Sequence, residues 1–276
     1  MPEIELENVK IAYSINGAPE RDDGLSVVLV HGAGGRDQDW PQAWRSVDDI
    51  TRAMGLTPAS HTADLDQYPI YSLDLPCHGQ SGGTDCTSIE GYADAIESFI
   101  DALDLKRVVI VGHSMGAAIT LQIAVRQNKR LAGAVLIGSA AKLQVSPDIL
   151  EGLKNDFEKT VDAIIKFSWY KETGAFFKEK GRQRMLETGS EVVYGDYYAC
   201  ADFDLTDQLD KVQVPALLIA SDRDRMVRME DSEETAKILG AKFVGLEDCG
   251  HFQHIEQTEK CANAISEFLT EVAPLK

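Results

Sequence analysis

The chain has 276 residues, of which 44% are hydrophobic and 26% are charged. This length and composition are typical of a globular domain, and they exclude disordered, collagen-like and coiled-coil proteins. The 45 acidic residues outnumber the 27 basic ones, and the net charge of −18 opposes general binding to nucleic acids or anionic membranes.

Short apolar runs alternate with longer amphipathic stretches along the chain. Several of the runs are nearly continuous in Val, Ile and Leu, which is typical of strands buried on both faces of a parallel sheet. In chain order the predicted strands are 10–15, 26–31, 69–74, 107–111, 133–138, 214–220 and 242–246. Helical periodicity appears at 88–103, with Ser88 as a possible cap, at 117–125 and at about 257–272. The alternation predicts a doubly wound, mostly parallel α/β sheet.

The alternation stops between about 140 and 205, where only helical patterns occur. One long apolar face is marked there by Ile149, Leu153, Phe157, Val161, Ile164 and Ile165. We therefore expect a core formed by 1–139 and 206–276, with a helical cap or lid at 140–205 inserted between two strands. The polar stretch 55–68, which contains Pro and Gly, predicts an irregular excursion before the strand at 69.

The cysteines and the N-terminus give no sign of a secreted or metal-stabilised protein. The five cysteines are scattered, and they form neither a CxxC pair nor a Cys/His cluster with zinc-ligand spacing. No disulfide scaffold and no structural metal are therefore expected. The start of the chain lacks the regions of a signal peptide, and no apolar run is long enough to span a membrane. We expect a cytoplasmic protein.

The clearest candidate for chemistry is Gly112-His113-Ser114-Met115-Gly116, which follows a predicted strand and opens a predicted helix. So sharp a turn strains the serine backbone, and the flanking glycines let neighbouring segments approach. It exposes the Ser114 hydroxyl at the carboxyl edge of the sheet, where ligands of α/β folds bind. Ser114 is the candidate nucleophile, although an incidental serine in a Gly-rich turn is the alternative. The N–H of Met115 faces any negative charge that develops nearby.

A serine hydroxyl is a poor nucleophile unless a positioned base takes its proton. Among the six histidines, His251 follows the strand 242–246 and therefore reaches the same sheet edge as Ser114. His254 is the competitor, but Gly250 favours His251 because glycine permits a close turn.

The base in turn needs an acid that orients it. The loop after the strand 214–220 offers Asp222 and Asp224, and the residues alone leave both open because Asp also favours solvated turns. The loop after the strand 26–31 reads His31-Gly32-Ala33-Gly34-Gly35 and leaves room for a backbone amide to approach a substrate oxygen.

With these residues the chain resembles the α/β-hydrolase superfamily, in its serine-nucleophile branch with a helical cap, over nearly its whole length. The resemblance rests on His31-Gly32-Ala33, Asp74-Leu75-Pro76-Cys77-His78-Gly79-Gln80-Ser81, the Gly112–Gly116 turn, Val214-Pro215 with Ser221-x-x-Asp224-x-x-Val227, and Gly250-His251. It implies that Asp224 is the acid and that the amides of Ala33 and Met115 form the oxyanion hole.

Three positions depart from the family pattern. Ser221 and Cys77 stand where the family usually has Gly, and Arg228 stands where Pro is common. A serine at position 114 also argues against relatives that use an aspartate nucleophile, such as haloalkane dehalogenases and epoxide hydrolases.

The resemblance implies a carboxylesterase-like serine hydrolase that needs no metal or organic cofactor and acts on a small molecule. Its activity is expected to rise with pH as His251 loses its proton. The same triad also serves C–C bond hydrolases, lactonases, thioesterases, acyltransferases and perhydrolases, so those remain alternatives. A non-catalytic small-molecule receptor on the same fold is the alternative from another class.

The stretch 166–184 is basic within an acidic protein. It holds six Lys and Arg residues against two Glu, and five aromatic residues lie among them. Solvated charges beside apolar helix faces explain this pattern simply. The sharper hypothesis is that the stretch draws carboxylate-bearing esters or lactones toward the pocket.

Overall fold

The computed structural model describes residues 1–7, 9–18, 21–45, 65–83 and 88–273, which include an eight-stranded sheet. Its strands are β1 (Glu3–Glu5), β2 (Lys10–Gly17), β3 (Leu25–Val30), β4 (Pro69–Leu73), β5 (Arg107–His113), β6 (Leu131–Ile137), β7 (Ala216–Ser221) and β8 (Lys242–Leu246). They lie in the order β1-β2-β4-β3-β5-β6-β7-β8. β1 and β2 are antiparallel to their neighbours, whereas β3 to β8 are mutually parallel.

Helices cover both faces of this sheet. They are α1 (Gln42–Arg45), α2 (Ile89–Ala102), α3 (Met115–Val125), α4 (Pro147–Asn155), α5 (Phe157–Ser168), α6 (Ala175–Thr188), α7 (Ser190–Asp202), α8 (Met229–Leu239), α9 (Gln253–Glu256) and α10 (Thr258–Val272). One core joins α2, α3 and α8 to the sheet, and a second core on the other face contains α1 and α10. β5 serves both cores, because Val108 and Ile110 point to the first and Val109 and Val111 to the second. The fold class predicted from the sequence is confirmed.

The predicted strands and helices occur at their expected places, with bounds that differ by a few residues. β1 was not predicted, because three residues with an exposed-intermediate-exposed pattern carry too little apolar signal. Of the predicted excursion at 55–68, residues 55–64 lie outside the described ranges. Residues Leu65–Gln67 form a single turn of 3-10 helix. No helix in the described part of the chain could cross a membrane.

The chain between β6 and β7 contains α4 to α7, which form an apolar cluster of their own above the sheet. Leu153, Val161, Ile164 and Trp169 are among its buried residues. An isolated antiparallel bridge joins Lys142 to Asp204, so the two ends of this helical segment lie side by side. Its division from the rest of the chain as a cap at 140–205 stays a prediction.

Cys77 is disulfide-bonded, whereas Cys200, Cys249 and Cys261 are free. This bond was not predicted, since scattered cysteines in odd number do not indicate a pairing. Cys77 also has φ of 69°, so it occupies the left-handed region where glycine costs least. Glycine, which was noted above as usual at this position, would adopt this φ without steric cost.

Candidate active site

The turn between β5 and α3 holds Ser114 in an unusual backbone conformation. Its φ of 54° and ψ of −117° are not those of a strand or a helix. The two glycines of the motif are required because neighbouring backbone atoms lie too close to leave room for a side chain. A Cβ on Gly112 would lie 2.2 Å from the carbonyl oxygen of Gly116, and one on Gly116 would lie 2.1 Å from that of Val30. The strained turn therefore packs directly against the end of β3.

Ser114, His251 and Asp224 form a continuous hydrogen-bonded chain. Nε2 of His251 lies 2.9 Å from Oγ of Ser114, and Nδ1 lies 2.8 Å from Oδ2 of Asp224. The side chains of His251 and Asp224 are almost fully buried, at 6% and 1% exposure. An Nδ1–H that donates to Asp224 leaves the lone pair of Nε2 free to accept the serine proton.

The carboxylate of Asp224 is saturated with hydrogen bonds. Its Oδ1 accepts from the backbone N–H groups of Met226 and Val227 at 2.8 and 3.0 Å. Its Oδ2 accepts from Nε2 of Gln253 at 3.1 Å as well as from His251. These donors hold the carboxylate in the orientation that the imidazole needs.

The alternative residues lie elsewhere. Asp222 accepts from the N–H of Asp248 at 2.8 Å and pairs with Arg223, so it fastens two loops together. His254 packs against Trp40 and His113, and burial together with His251 lowers its pKa to about 3. With so low a pKa, His254 is neutral at physiological pH. The histidine that bonds to Ser114 is His251.

The loop after β3 runs past the nucleophile. A Cβ on Gly32 would come within 3.3 Å of Cβ of Ser114, so the main chain leading to Ala33 lies against the serine. No hydrogen bond within the described part of the chain uses the N–H of Ala33 or of Met115. The N–H groups of Ala33 and Met115 thus keep an unused donor each, as an oxyanion hole requires.

Ser221 and Gln253 are buried polar residues that the sequence analysis did not assign to the site. Oγ of Ser221 donates to the carbonyl of Gly250 at 2.7 Å and accepts from Nε2 of Gln253 at 3.1 Å. Ser221 was noted only as a departure from the family's usual Gly. Nothing in the sequence pairs it with Gln253, which is 32 positions away.

The loop that carries His251 is anchored to the helical segment. The N–H of His251 donates to the carbonyl of Ser168 at 2.7 Å, and Nε2 of His113 lies 2.8 Å from the carbonyl of His251. The rings of Trp169 and Phe252 stack at 4.2 Å. The end of α5 thus helps to set the position of the imidazole.

A cavity of about 480 Å³ opens above Ser114 and His251. One wall is a row of aromatic rings that runs from the exposed Phe176 through Phe177, Trp169 and Phe252 toward His251, with ring centroids 4.2 to 6.3 Å apart. An apolar cavity that contains a few converging polar groups is typical of a small-molecule site. Among the described residues, no cluster of His, Cys, Asp and Glu is arranged to hold a metal ion.

Few charged side chains line this cavity. Arg184 is paired through Nε with Oδ1 of Asp39 at 2.7 Å. Burial raises the pKa of Asp39 from its ordinary value, although Arg184 opposes this rise. The ammonium of Lys180, in contrast, contacts the neutral amide oxygen of Gln183 at 3.2 Å and lies 6.0 Å from the ring centroid of Phe176.

The sequence pattern of the alpha/beta hydrolase family matches residues 27–264, and the chain therefore belongs to this family. The resemblance inferred from the motifs is confirmed, and so is the prediction that the protein is a hydrolase of this superfamily.

Two curated relatives and two solved structures show the range of similar proteins. A 3-oxoadipate enol-lactonase from Acinetobacter baylyi is 22% identical, over 75% of this chain and 80% of the relative. The 2-hydroxy-6-oxo-6-phenylhexa-2,4-dienoate hydrolase of Comamonas testosteroni is 22% identical over 98% and 94%. A thermophilic esterase superposes with a TM-score of 0.80 at 25% identity, covering 98% of this chain and 97% of its own. The enol-lactonase of Burkholderia xenovorans gives a TM-score of 0.82 at 21% identity, covering 98% and 100%.

Proposed function

We propose that this protein is a serine hydrolase that cleaves a small carboxylic ester through an acyl-enzyme. The hydrogen-bonded chain from Ser114 through His251 to Asp224, with distances of 2.9 and 2.8 Å, carries the proposal. The names of the similar proteins, which include an esterase and two enol-lactonases, support an ester or a lactone as the substrate. The cavity volume suits a molecule of modest size.

In the proposed first half-reaction, Oγ of Ser114 attacks the acyl carbon while Nε2 of His251 takes the serine proton. The amides of Ala33 and Met115 donate to the oxyanion of the tetrahedral intermediate. The intermediate collapses when the C–O bond to the alcohol breaks and His251 protonates the departing oxygen. Asp224 stabilises the imidazolium throughout, and it does not itself take the proton.

In the second half-reaction, a water molecule replaces the alcohol. His251 removes a proton from this water as its oxygen attacks the acyl carbon, and the same two amides receive the oxyanion. Collapse releases the carboxylic acid and returns the proton to Ser114. The balance needs water alone, so no oxidant, metal or organic cofactor enters the proposed sequence.

The test combines turnover with detection of the intermediate. Hydrolysis of p-nitrophenyl esters of graded acyl length is measured for the wild type and for Ser114→Ala, and intact-mass spectrometry looks for the acylated protein. We expect turnover and an adduct in the wild type, and a loss of roughly 10⁴-fold or more in kcat/KM with no adduct in the variant.

Each other outcome has a definite meaning. Turnover that survives in Ser114→Ala would overturn the assignment of the nucleophile. An adduct that water does not cleave, but that passes its acyl group to an added alcohol or thiol to give a new ester or thioester, would favour an acyltransferase. Tight ligand binding without turnover or adduct would favour the receptor alternative. The acyl-length profile of an active enzyme would measure the depth of the cavity.

A further inference from the structure

A buried carboxylate on α7 joins three distant parts of the chain. Oδ2 of Asp196 accepts from the N–H of Gly34 at 2.7 Å and from Nε2 of His78 at 2.9 Å, and its Oδ1 accepts from the hydroxyl of Tyr92 at 2.6 Å. Asp196 and His78 have no exposed surface. The proposed mechanism does not use either of them. Burial of a carboxylate costs desolvation free energy, so a role for this one is expected.

The surroundings of His78 require a doubly protonated ring. Its Nε2 faces the carboxylate of Asp196, and its Nδ1 faces the carbonyl oxygen of Pro76 at 2.9 Å. Because both partners are acceptors, both ring nitrogens donate, and the side chain is an imidazolium. The neighbouring His31 is different, since its Nε2 accepts from the N–H of Leu75 at 3.0 Å and the ring is neutral.

The helical segment binds both backbone polar groups of Gly34, in the loop 31–35 that follows β3 and is called the oxyanion loop below. Asp196 takes its N–H, and the hydroxyl of Thr188 donates to its carbonyl at 2.9 Å. The Cα of Gly34 rests against Met185 and Val193, where a Cβ would approach side-chain atoms to 3.2 and 3.3 Å. The peptide that Asp196 binds is the one directly after Ala33, so its orientation constrains ψ of Ala33 and thereby the direction of the neighbouring Ala33 N–H.

We infer that Asp196, together with the imidazolium of His78, is a positioning residue that holds the amide of Ala33 in place to receive the oxyanion. This inference rests on the proposed function, because it assigns a role to the oxyanion loop. It also gives α7 a part in catalysis that goes beyond covering the cavity. Asp196 does not touch the substrate, and it acts through the Ala33–Gly34 peptide.

The pair also predicts an effect of alkaline pH. The charge and hydrogen bond of Asp196 raise the pKa of His78 above its ordinary value, although burial opposes this, and Asp74 contributes in the same direction. A raised pKa means that the positive charge of His78, and with it the ion pair to Asp196, is present at low pH and is lost as the pH rises through the folded-state value. The other titratable groups close by are neutral: burial lowers the pKa of His31 and raises those of Tyr92 and Cys200.

The kinetic experiment compares Asp196→Ala and Asp196→Asn with the wild type and with Asp202→Asn. Asp202 lies on the same helix and is exposed, so this control removes the same charge without touching the loop. We expect kcat for p-nitrophenyl butyrate to fall roughly 10- to 100-fold in Asp196→Ala, which is less than the cost of deleting an oxyanion donor. KM should change little. Affinity for a trifluoromethyl ketone, which forms an oxyanion adduct, should fall by the same factor as kcat/KM.

Asp196→Asn retains an acceptor for Gly34 but removes the charge that keeps His78 protonated. We expect its alkaline loss of activity to move to lower pH by about one unit or more, whereas Asp202→Asn keeps the wild-type profile. An unchanged alkaline limb in Asp196→Asn, or equal losses in kcat and in ground-state binding for Asp196→Ala, would overturn the inference. If Asp196→Ala fails to fold, the Asn variant still decides the question.

A second measurement does not depend on hydrolysis. In ¹⁵N-labelled wild-type protein, the amide of Gly34 should shift with pH together with the ring nitrogens of His78, and Asp196→Asn should move both midpoints. Independent titration of the two signals would contradict the inference. A wild type with coupled titration but neither turnover nor acyl adduct would instead refute the proposed function alone.

Discussion

Gln253 is a buried side chain that bonds to two residues beside the candidate triad. It is fully buried at the start of α9, and its Nε2 donates both to Asp224 and to Ser221 at 3.1 Å. Its Oε1 lies against Gly138, where a Cβ would approach it to 2.8 Å. A flipped amide would turn its carbonyl oxygen toward the carboxylate of Asp224, so the charge of the acid selects the observed orientation. Gln253 therefore donates to the same carboxylate oxygen of Asp224 that the imidazole of His251 binds.

Replacement of Gln253 by Leu should impair catalysis more than binding. The change leaves Oδ2 of Asp224 with one donor fewer, and a hydrogen bond to a charged group contributes roughly 1.5–3 kcal/mol. We expect kcat to fall about 10- to 100-fold with KM nearly unchanged, as measured on the same p-nitrophenyl ester. Gln257→Leu, four positions along the chain, is the control. Equal kinetics in the two variants would show that Gln253 only fills space.

Among the elements, the strands were predictable and the contacts of the helical segment were not. Several of the parallel strands are nearly continuous apolar runs, and the order of β5, β7 and β8 places Ser114, Asp224 and His251 at one sheet edge whatever their separation in sequence. The bond from Asp196 to Gly34, in contrast, spans 162 positions and depends on how α7 packs. A lone Asp in a helical pattern gives no sign of such a partner. The sequence therefore predicted the candidate triad and missed the groups that support it.

The helix α6 turns one face toward the cavity, and that face carries Phe176, Phe177, Lys180 and Arg184. The charge of Arg184 is taken up by Asp39, while that of Lys180 meets neutral groups. If the basic stretch 166–184 recognises anionic substrates, Lys180 is the residue through which it does so. The other four cations of the stretch, Lys166, Lys171, Lys178 and Arg182, do not line the cavity, and Arg182 pairs with Asp162 at 2.6 Å.

Lys180→Gln tests this hypothesis against Lys178→Gln. Lys178 lies on the same helix, bonds to the carbonyl of Lys171 at 2.9 Å and is absent from the cavity wall. We expect Lys180→Gln to lower kcat/KM for p-nitrophenyl hydrogen glutarate by about 3- to 10-fold, as for an exposed charge interaction, and to spare p-nitrophenyl valerate. Lys178→Gln should affect neither ester. If the ratio of kcat/KM for the two esters is identical in all three proteins, at low and at high salt, Lys180 does not select anionic substrates at the cavity entrance.

At the scale of the whole molecule, the net charge of −18 acts against the compact state. The ion pairs on the surface oppose this repulsion only weakly. Lys10 with Glu3 and Lys142 with Asp204, for example, are 36% to 55% exposed on both sides, and such pairs contribute about 0–1 kcal/mol. Added salt screens both effects, and the long-range repulsion among unpaired carboxylates is the larger of the two.

Thermal unfolding should therefore respond to salt with a definite sign. We expect Tm to rise between 10 mM and 200 mM NaCl at neutral pH, because the Debye length shrinks from about 30 Å to below 10 Å and the mutual repulsion is screened. A gain of roughly 1 kcal/mol corresponds to about 2–4 °C for a chain of this size. Differential scanning calorimetry measures the shift, with sucrose as an uncharged control. A Tm that falls with salt would mean that ion pairs, including buried ones such as His78 with Asp196, contribute more than the excess negative charge costs.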